Sequence, residues 1–234
     1  MPPKLKLVYF NIRGRGELVR LTLHAGGVDF IDERIPYEEW TQRKNQAPNG
    51  QVPYIVVDGK MYGEVLPIVR FISKKCGLLG KKEDDQIYVE ILLEQVNKFR
   101  DQLIRPKVDS FLNKGQKEFL LKKLQEEEIP KFLTRVEEAL KVSRTGFVLG
   151  GELTVADLSV WDTIDLLVSE KPDILGLYPK LLEHRAKIKT LPKLKKYLET
   201  RPPDQEVPKN PKATTMPQGS PQKAQYQGVG SSTK

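Results

Sequence analysis

Asn49-Gly50-Gln51-Val52-Pro53 is the stretch best suited to chemistry, and that chemistry is recognition of an extended peptide. Tyr54 to Val57 reads as a strand. Asp58-Gly59 reads as the two-residue turn of a hairpin returning through Lys60-Met61-Tyr62. A proline at a strand entry has no N–H for a ladder, so it belongs to a turn or an edge. A cis Val52-Pro53 bond would leave the Val52 N–H and C=O open to a peptide laid alongside. A trans loop proline before an ordinary strand is the other reading of the same residues. A second motif, Thr154-Val155-Ala156-Asp157, has the hydroxyl and carboxylate of a capping box and reads as the start of a buried helix.

The surrounding elements follow from periodicity. Leu5, Leu7 and Tyr9 alternate as a short strand, and Asn11 to Gly16 is a loop. From Glu17 the spacing turns helical, with Leu18, Leu21 and Ala25 on one face and Gly26-Gly27 as the stop. Phe30-Ile31 and Ile35 suggest a second strand, which completes a βαβ unit. Trp40 and Lys44 fall in a long polar connection. After the Pro53 hairpin a helix spans residues 64–75, where Pro67 is tolerated in the first turn. Beyond Gly80 the apolar series (Ile87, Ile91, Val96 and Phe99; Phe132, Val136 and Leu140; Leu158, Trp161 and Ile164) all have helical spacing, and a last helix is expected over residues 181–198. The fold class is therefore an α/β unit over residues 1–80 followed by an all-α unit over residues 81–202. Six prolines fall between Pro202 and Pro221 among Gln, Ser, Lys and Gly, so residues 203–234 are expected to be a disordered tail, dispensable for folding and chemistry.

Composition narrows the function classes. The chain has 234 residues, 38% hydrophobic and 30% charged, with a net charge of +8 spread along its length. No motif interleaves aromatic and basic residues as a nucleic-acid groove would, so no nucleic-acid partner is expected. No apolar run approaches the roughly 20 residues of a membrane helix, and the N-terminus lacks a signal-peptide core. Cys76 is the only cysteine, which excludes an intramolecular disulfide and fits a cytoplasmic location.

In order and spacing, several segments together resemble the cytosolic glutathione transferases, nearest the sigma class, over residues 4–202. They are Lys6-Leu7-Val8-Tyr9-Phe10-Asn11-Ile12-Arg13-Gly14-Arg15, Trp40 with Lys44, Gly50-Gln51-Val52-Pro53, Arg70, and Leu153-Thr154-Val155-Ala156-Asp157. The resemblance implies a thioredoxin-like N-terminal domain, an all-helical C-terminal domain, a homodimer and a cis Pro53. It implies glutathione as co-substrate, a hydrophobic electrophile as second substrate, and no metal. Tyr9 and Arg15 match the catalytic positions. Tyr9, Trp40, Lys44, Gln51, Val52, Pro53, Glu64 and Val65 match the glutathione-binding positions, with Lys44 pairing the glycyl carboxylate.

The residue types suit that chemistry. A free cysteine thiol has a pKa of about 8.5, and the thiolate is the nucleophile. A phenol aimed at the sulfur stabilises the thiolate more than the thiol, and a nearby cation such as Arg15 acts in the same direction. The chain departs from the family pattern in two places. Glu64-Val65 stands where glutamine and serine are usual, so no hydroxyl meets the γ-glutamyl carboxylate. Asn97-Lys98 falls where sigma enzymes carry an aspartate for the partner's glutathione, with Glu94 or Asp101 as substitutes. The alternative to an active transferase is therefore a ligand-binding or structural, crystallin-like protein with weak or no turnover. Ile12 and Arg15 are expected to begin the electrophile pocket. Ser159 and Thr163, near bulkier residues of prostaglandin isomerases, argue against a dedicated enzyme of that kind.

Overall fold

The structure, a computed structural model, describes residues 5–206. Four strands form one mixed sheet in the order β2-β1-β3-β4. β1 (Leu5–Phe10) lies parallel to β2 (Ile31–Ile35) and antiparallel to β3 (Tyr54–Val57), and β4 (Lys60–Tyr62) closes the hairpin on β3. The Asp58-Gly59 turn has positive φ at both residues, 49° and 80°, as a tight hairpin requires. Register runs from Leu5 opposite Val57 to Val8 opposite Tyr54, so the β1–β3 ladder ends before Val52 and Pro53. α1 (Gly16–Gly26) makes the crossover from β1 to β2, and α3 (Val65–Cys76) packs beside it.

The connection after β2 is not the irregular stretch its polarity suggests. It contains α2 (Tyr37–Arg43) and two 3₁₀ turns, Lys44–Gln46 and Pro48–Gly50. Tyr37 and Trp40 are the buried residues of α2, three apart and therefore on one face, and Phe10 meets their rings at 4.3 and 5.8 Å between centroids. Two apolar positions in a seven-residue helix leave no periodicity to read.

The remaining described chain is helical. α4 (Glu83–Val108) and α7 (Val155–Glu170) pack together at its centre. α5 (Lys114–Lys123) continues through a π turn, Leu124–Glu128, into α6 (Ile129–Lys141). The expected helix over residues 181–198 is two helices, α8 (Pro179–Thr190) and α9 (Pro192–Thr200). Pro192 has no N–H and pushes Leu191 out of the helical region, to ψ 124°, so the break falls there. The capping box at Thr154 holds its reciprocal half: the Thr154 N–H donates to Asp157 Oδ2 at 2.9 Å, inside the core.

One apolar cluster runs through both halves, from Leu7, Leu21 and Ile72 to Leu93, Trp161 and Leu194. A smaller one gathers Val8, Tyr9, Phe10, Tyr37, Trp40 and Tyr54. Residues 203–206 bond to the loop after β1: Asn11 Nδ2 donates to the Pro203 carbonyl at 3.2 Å, and the Gln205 N–H to the Asn11 carbonyl at 2.8 Å. The chain's contact with the folded body thus extends past Pro202, where the composition changes. The rest of the expected tail, residues 207–234, lies outside the described residues.

Candidate functional site

Tyr9, the penultimate residue of β1, is buried, with its ring against the start of α1. A Cβ on Gly16 would lie 2.3 Å from Tyr9 Cδ1, and one on Gly14 would lie 2.4 Å from the Tyr9 oxygen. Gly14 also has φ +38°. Only glycines let the loop close this tightly over the phenol. The closure brings the Arg15 backbone N–H to the Tyr9 oxygen at 3.0 Å. The oxygen accepts this bond, while its own proton goes to nothing among the described residues. Burial pushes the Tyr9 pKa above the ordinary phenol value, outweighing the Arg15 amide and the fields of Arg100, Arg20 and Arg15, which lower it. Tyr9 is therefore a neutral donor at physiological pH, not a phenolate base.

Three arginines fix the loop. Arg20, fully buried on α1, donates to the Phe10 carbonyl at 3.1 Å and the Ile12 carbonyl at 2.8 Å, with Asp32 at 3.0 Å as its counter-charge. Arg100, buried on α4, donates to the Gly14 carbonyl at 2.7 Å and pairs with buried Asp162 of α7. Arg13 holds Asp204 through its backbone N–H at 2.7 Å and its Nε at 2.8 Å. Burial pushes Asp162 up to about 6 against the pull of Arg100, with Glu17 and Asp165 acting in the same direction as burial.

Beside this loop lies a cleft of about 270 Å³ lined by Arg15, Gln51, Val52, Pro53, Glu64 and Val65. The Val52-Pro53 bond is cis. Glu64 caps α3 at φ 67°, ψ 118°, a conformation rare for a residue with a Cβ and found where a site demands it. Its carbonyl accepts the Ile68 N–H at 3.1 Å, the first bond of the helix. The Val65 and Leu66 N–H groups precede that bond and have no acceptor within the helix. Pro67 has no N–H at all, so the helix presents two amides at its positive end, a setting suited to a carboxylate.

The structure therefore brings six expected residues into one cleft, and Tyr9 is bonded to one of them. Lys44 does not line the cleft; its Cγ would be 3.6 Å from a Cβ on Gly50, which precedes the lining residue Gln51. Trp40 is buried against Phe10 of β1 and does not line the cleft. Arg15, expected to sit beside a sulfur, also donates to Asp101 at 2.8 Å, so Asp101 is committed within the chain. Asn97 and Glu94 line the cleft, and Glu94 accepts from Arg70 at 2.8 Å. Lys98 lines a different groove, between α4 and α6, with Phe99 and Phe132. Ser159 and Thr163 line neither; both are buried in α7, where the Thr163 hydroxyl donates to the Ser159 carbonyl at 2.9 Å. Arg20, Arg100 and Asp162 were not visible from sequence, because the groups they hydrogen-bond lie 8 to 86 residues away with no motif between them. Among the described residues no group of three or more His, Cys, Asp or Glu side chains is placed to hold a metal ion.

Known proteins place these observations. The family model described as "Glutathione S-transferase, C-terminal domain" matches residues 94–201. "Probable glutathione S-transferase 9" of Caenorhabditis elegans is 35% identical over 199 residues, 84% of this chain and 96% of that protein. The solved prostaglandin synthase D of Nilaparvata lugens superposes with a TM-score of 0.78 at 30% identity, covering 88% of this chain and 100% of that one. Na-GST-3 of the hookworm Necator americanus, described as monomeric, gives 0.77 at 32% identity over 86% and 99% of the two chains. Other relatives carry mu, nu and pi class names, and none of these names assigns a sigma class.

Proposed function

The chain belongs to the glutathione S-transferase family, and we propose that it activates the thiol of glutathione through Tyr9 and joins the sulfur to an electrophilic carbon. The observation that carries this reading is the Tyr9 hydroxyl, which accepts the Arg15 N–H and keeps its own proton for an acceptor outside the chain. With that proton directed at the sulfur, the thiol loses its hydrogen to solvent and the thiolate is held by the phenol. The sulfur lone pair then forms the C–S bond, and the leaving group departs with its electron pair. The Val52 backbone pairs with the cysteinyl unit, Lys44 and Trp40 take the glycyl end, and the α3 amides take the γ-glutamyl carboxylate, with Glu64 beside the ammonium. Arg15 adds positive charge at the rim.

We place the chain nearest the sigma class, on the segment from Lys6 to Arg15 and on Trp40 with Lys44, and in the cytoplasm, acting in detoxification. We also propose a homodimer through the face of β4, α3 and α4, where Met61, Tyr62, Phe71, Tyr88 and Ile91 are 40–60% exposed, more apolar surface than a free face usually carries. Val65 is the observation favouring the second reading, a binding protein with little turnover. Retention on immobilised glutathione followed by conjugation of a generic aromatic electrophile separates the two. Retention with turnover supports the transferase, retention without turnover the binding protein, and neither outcome refutes the site. Sedimentation at micromolar concentration tests the dimer.

A further inference from the structure

The Gly14–Arg15 peptide group does two things at once. Its carbonyl accepts from Arg100 Nη2 at 2.7 Å, and its N–H donates to the Tyr9 oxygen at 3.0 Å. These are the two ends of one amide, so guanidinium, amide and phenol form a continuous hydrogen-bonded chain.

We propose that Arg100, contributed by the helical half and anchored on Asp162, is a positioning residue that polarises the Gly14–Arg15 amide and so strengthens Tyr9 as a donor to the glutathione thiolate. The direction of every bond supports this. A cation donating to an amide oxygen draws electron density toward that oxygen and makes the N–H a better donor. A phenol oxygen that accepts a stronger bond becomes a stronger donor through its own hydrogen. The chain ends on the Tyr9 hydroxyl proton, which no described residue accepts.

Three further features fit. Gly14 is the residue whose Cβ would collide with the Tyr9 oxygen, so the amide can reach the phenol only with glycine there. Arg100 is 9% exposed and Asp162 2%, so neither is screened by water. Among charged groups Arg100 acts on Tyr9 more strongly than Arg20 or Arg15. Arg15, the cation expected from sequence, reaches Tyr9 through its backbone and points its side chain at Asp101. Glu17 of α1 and Asp165 of α7 also act on Asp162, and Arg13, Arg185 and Arg201 pair with Asp165.

The inference rests on the proposed role of Tyr9, and the experiment separates the two. The pKa of bound glutathione is read from thiolate ultraviolet absorbance against pH, together with kcat and KM for a generic aromatic electrophile and the melting temperature. Arg100→Gln is expected to raise the bound thiol pKa by about one unit and lower kcat about tenfold, while KM for glutathione stays within about threefold. Arg100→Lys, which keeps the charge, is expected to recover part of both. An unchanged thiol pKa and kcat in Arg100→Gln overturns the relay while leaving Tyr9 in place. A wild-type protein whose bound thiol keeps its solution pKa overturns both. If Arg100→Gln does not fold, Asp162→Asn reports on the same relay: it leaves the guanidinium present but unanchored and is expected to shift thiol pKa and kcat in the same direction by less. No shift there overturns the relay as well.

Discussion

Two buried tyrosines meet the start of α1, and they are wired in opposite senses. Tyr197, on α9, donates its hydroxyl proton to Glu17 at 2.8 Å and stacks on His24 at 4.2 Å. Glu17 is fully buried, accepts from Arg201 at 2.8 Å and lies 3.6 Å from Arg20; Arg201 reaches on to Asp165 at 3.3 Å. The Tyr197 proton thus has a destination inside the chain. Tyr9 receives a bond and passes its own proton to nothing among the described residues. Burial raises the pKa of both phenols; the Glu17 charge adds to it at Tyr197 against Arg20 and Arg34, and three arginines oppose it at Tyr9. Burial and polarity therefore do not distinguish a structural cluster from a chemical one. For these two phenols the distinguishing feature is whether the hydroxyl proton has an acceptor among the described residues.

The largest expected effect lies in the closed cluster. Glu17→Ala leaves the Arg201 Nη1 and the Tyr197 hydroxyl without their acceptor in a dry interface and should cost about 3–5 kcal/mol in urea unfolding. A cost below about 1 kcal/mol would mean that water or Asp165 replaces Glu17 and that the cluster is less closed than its geometry.

Asp162 belongs to the open side, and its sign is opposite. Its folded pKa, about 6, lies above the ordinary carboxylate value of 3.8, so the folded state takes up the proton first as pH falls. This group's contribution to stability is then most favourable below the ordinary carboxylate value and is lost as pH rises through about 6, on the order of 3 kcal/mol in all. Asp162→Asn should remove that dependence and melt at or above the wild type at neutral pH, even as turnover falls. A mutant that is less stable at pH 7.5, with a wild type that shows no gain toward pH 5, would mark Asp162 as an ordinary stabilising ion pair.

Tyr9→Phe tests the leftover donor directly. Conjugation should slow at least tenfold, with glutathione affinity and melting temperature little changed. Tyr197→Phe should do the reverse, losing about 1–3 kcal/mol of stability with the rate intact, because Glu17 loses a buried partner. Equal rates for Tyr9→Phe and wild type would erase the contrast between the two phenols.

How much of this was legible beforehand depended on the range of each interaction. Tyr9, Gly14 and Arg15 lie within one loop, and Gln51 to Pro53 within another, so the pieces of the cleft were readable as short motifs. The hairpin turn and the helix after Gly63 were readable because turn chemistry and helical spacing are local. Arg100 and Asp162 looked like ordinary charges on amphipathic helices, since nothing near them in the chain announces the Gly14 carbonyl. α2 escaped because a seven-residue helix with two inward rings has no period. The break at Pro192 was available from the proline itself, but the apolar series from Leu181 to Leu198 continues across it and masked the stop. Lys98 was misplaced by register: one position along α4 separates the cleft face, with Asn97, from the α6 groove.

At the far end of the cleft the expected change is smaller. Val65→Ser adds a hydroxyl at the start of α3, where two amides already face the cleft, and should tighten glutathione binding by about 1 kcal/mol in calorimetry. Weaker binding would mean that Val65 matters more for packing α3 on the sheet than for the ligand, which would leave the helix amides as the full carboxylate site.

The smallest effect concerns the segment that joins the open side to the end of the described chain. Asp204 and Gln205 bond to Arg13 and Asn11, in the loop that leads from Tyr9 to Arg15. The Arg13 and Asp204 side chains are 24% and 35% exposed, so their ion pair is worth about 0.2–1 kcal/mol and weakens with salt. Two truncations isolate it. A chain ending at Glu206 keeps these bonds, and one ending at Pro203 loses them; both lack residues 207–234 equally. The shorter chain should melt roughly 1–4 °C lower at low salt, the gap closing toward 1 M salt. Turnover should fall by less than about twofold, because Arg20 and Arg100 still hold the Phe10, Ile12 and Gly14 carbonyls. A large loss of turnover in the shorter chain alone would move the control of the Tyr9 loop from the buried arginines to this strap. Identical melting at low salt would show that Arg13 and Asp204 bond without contributing.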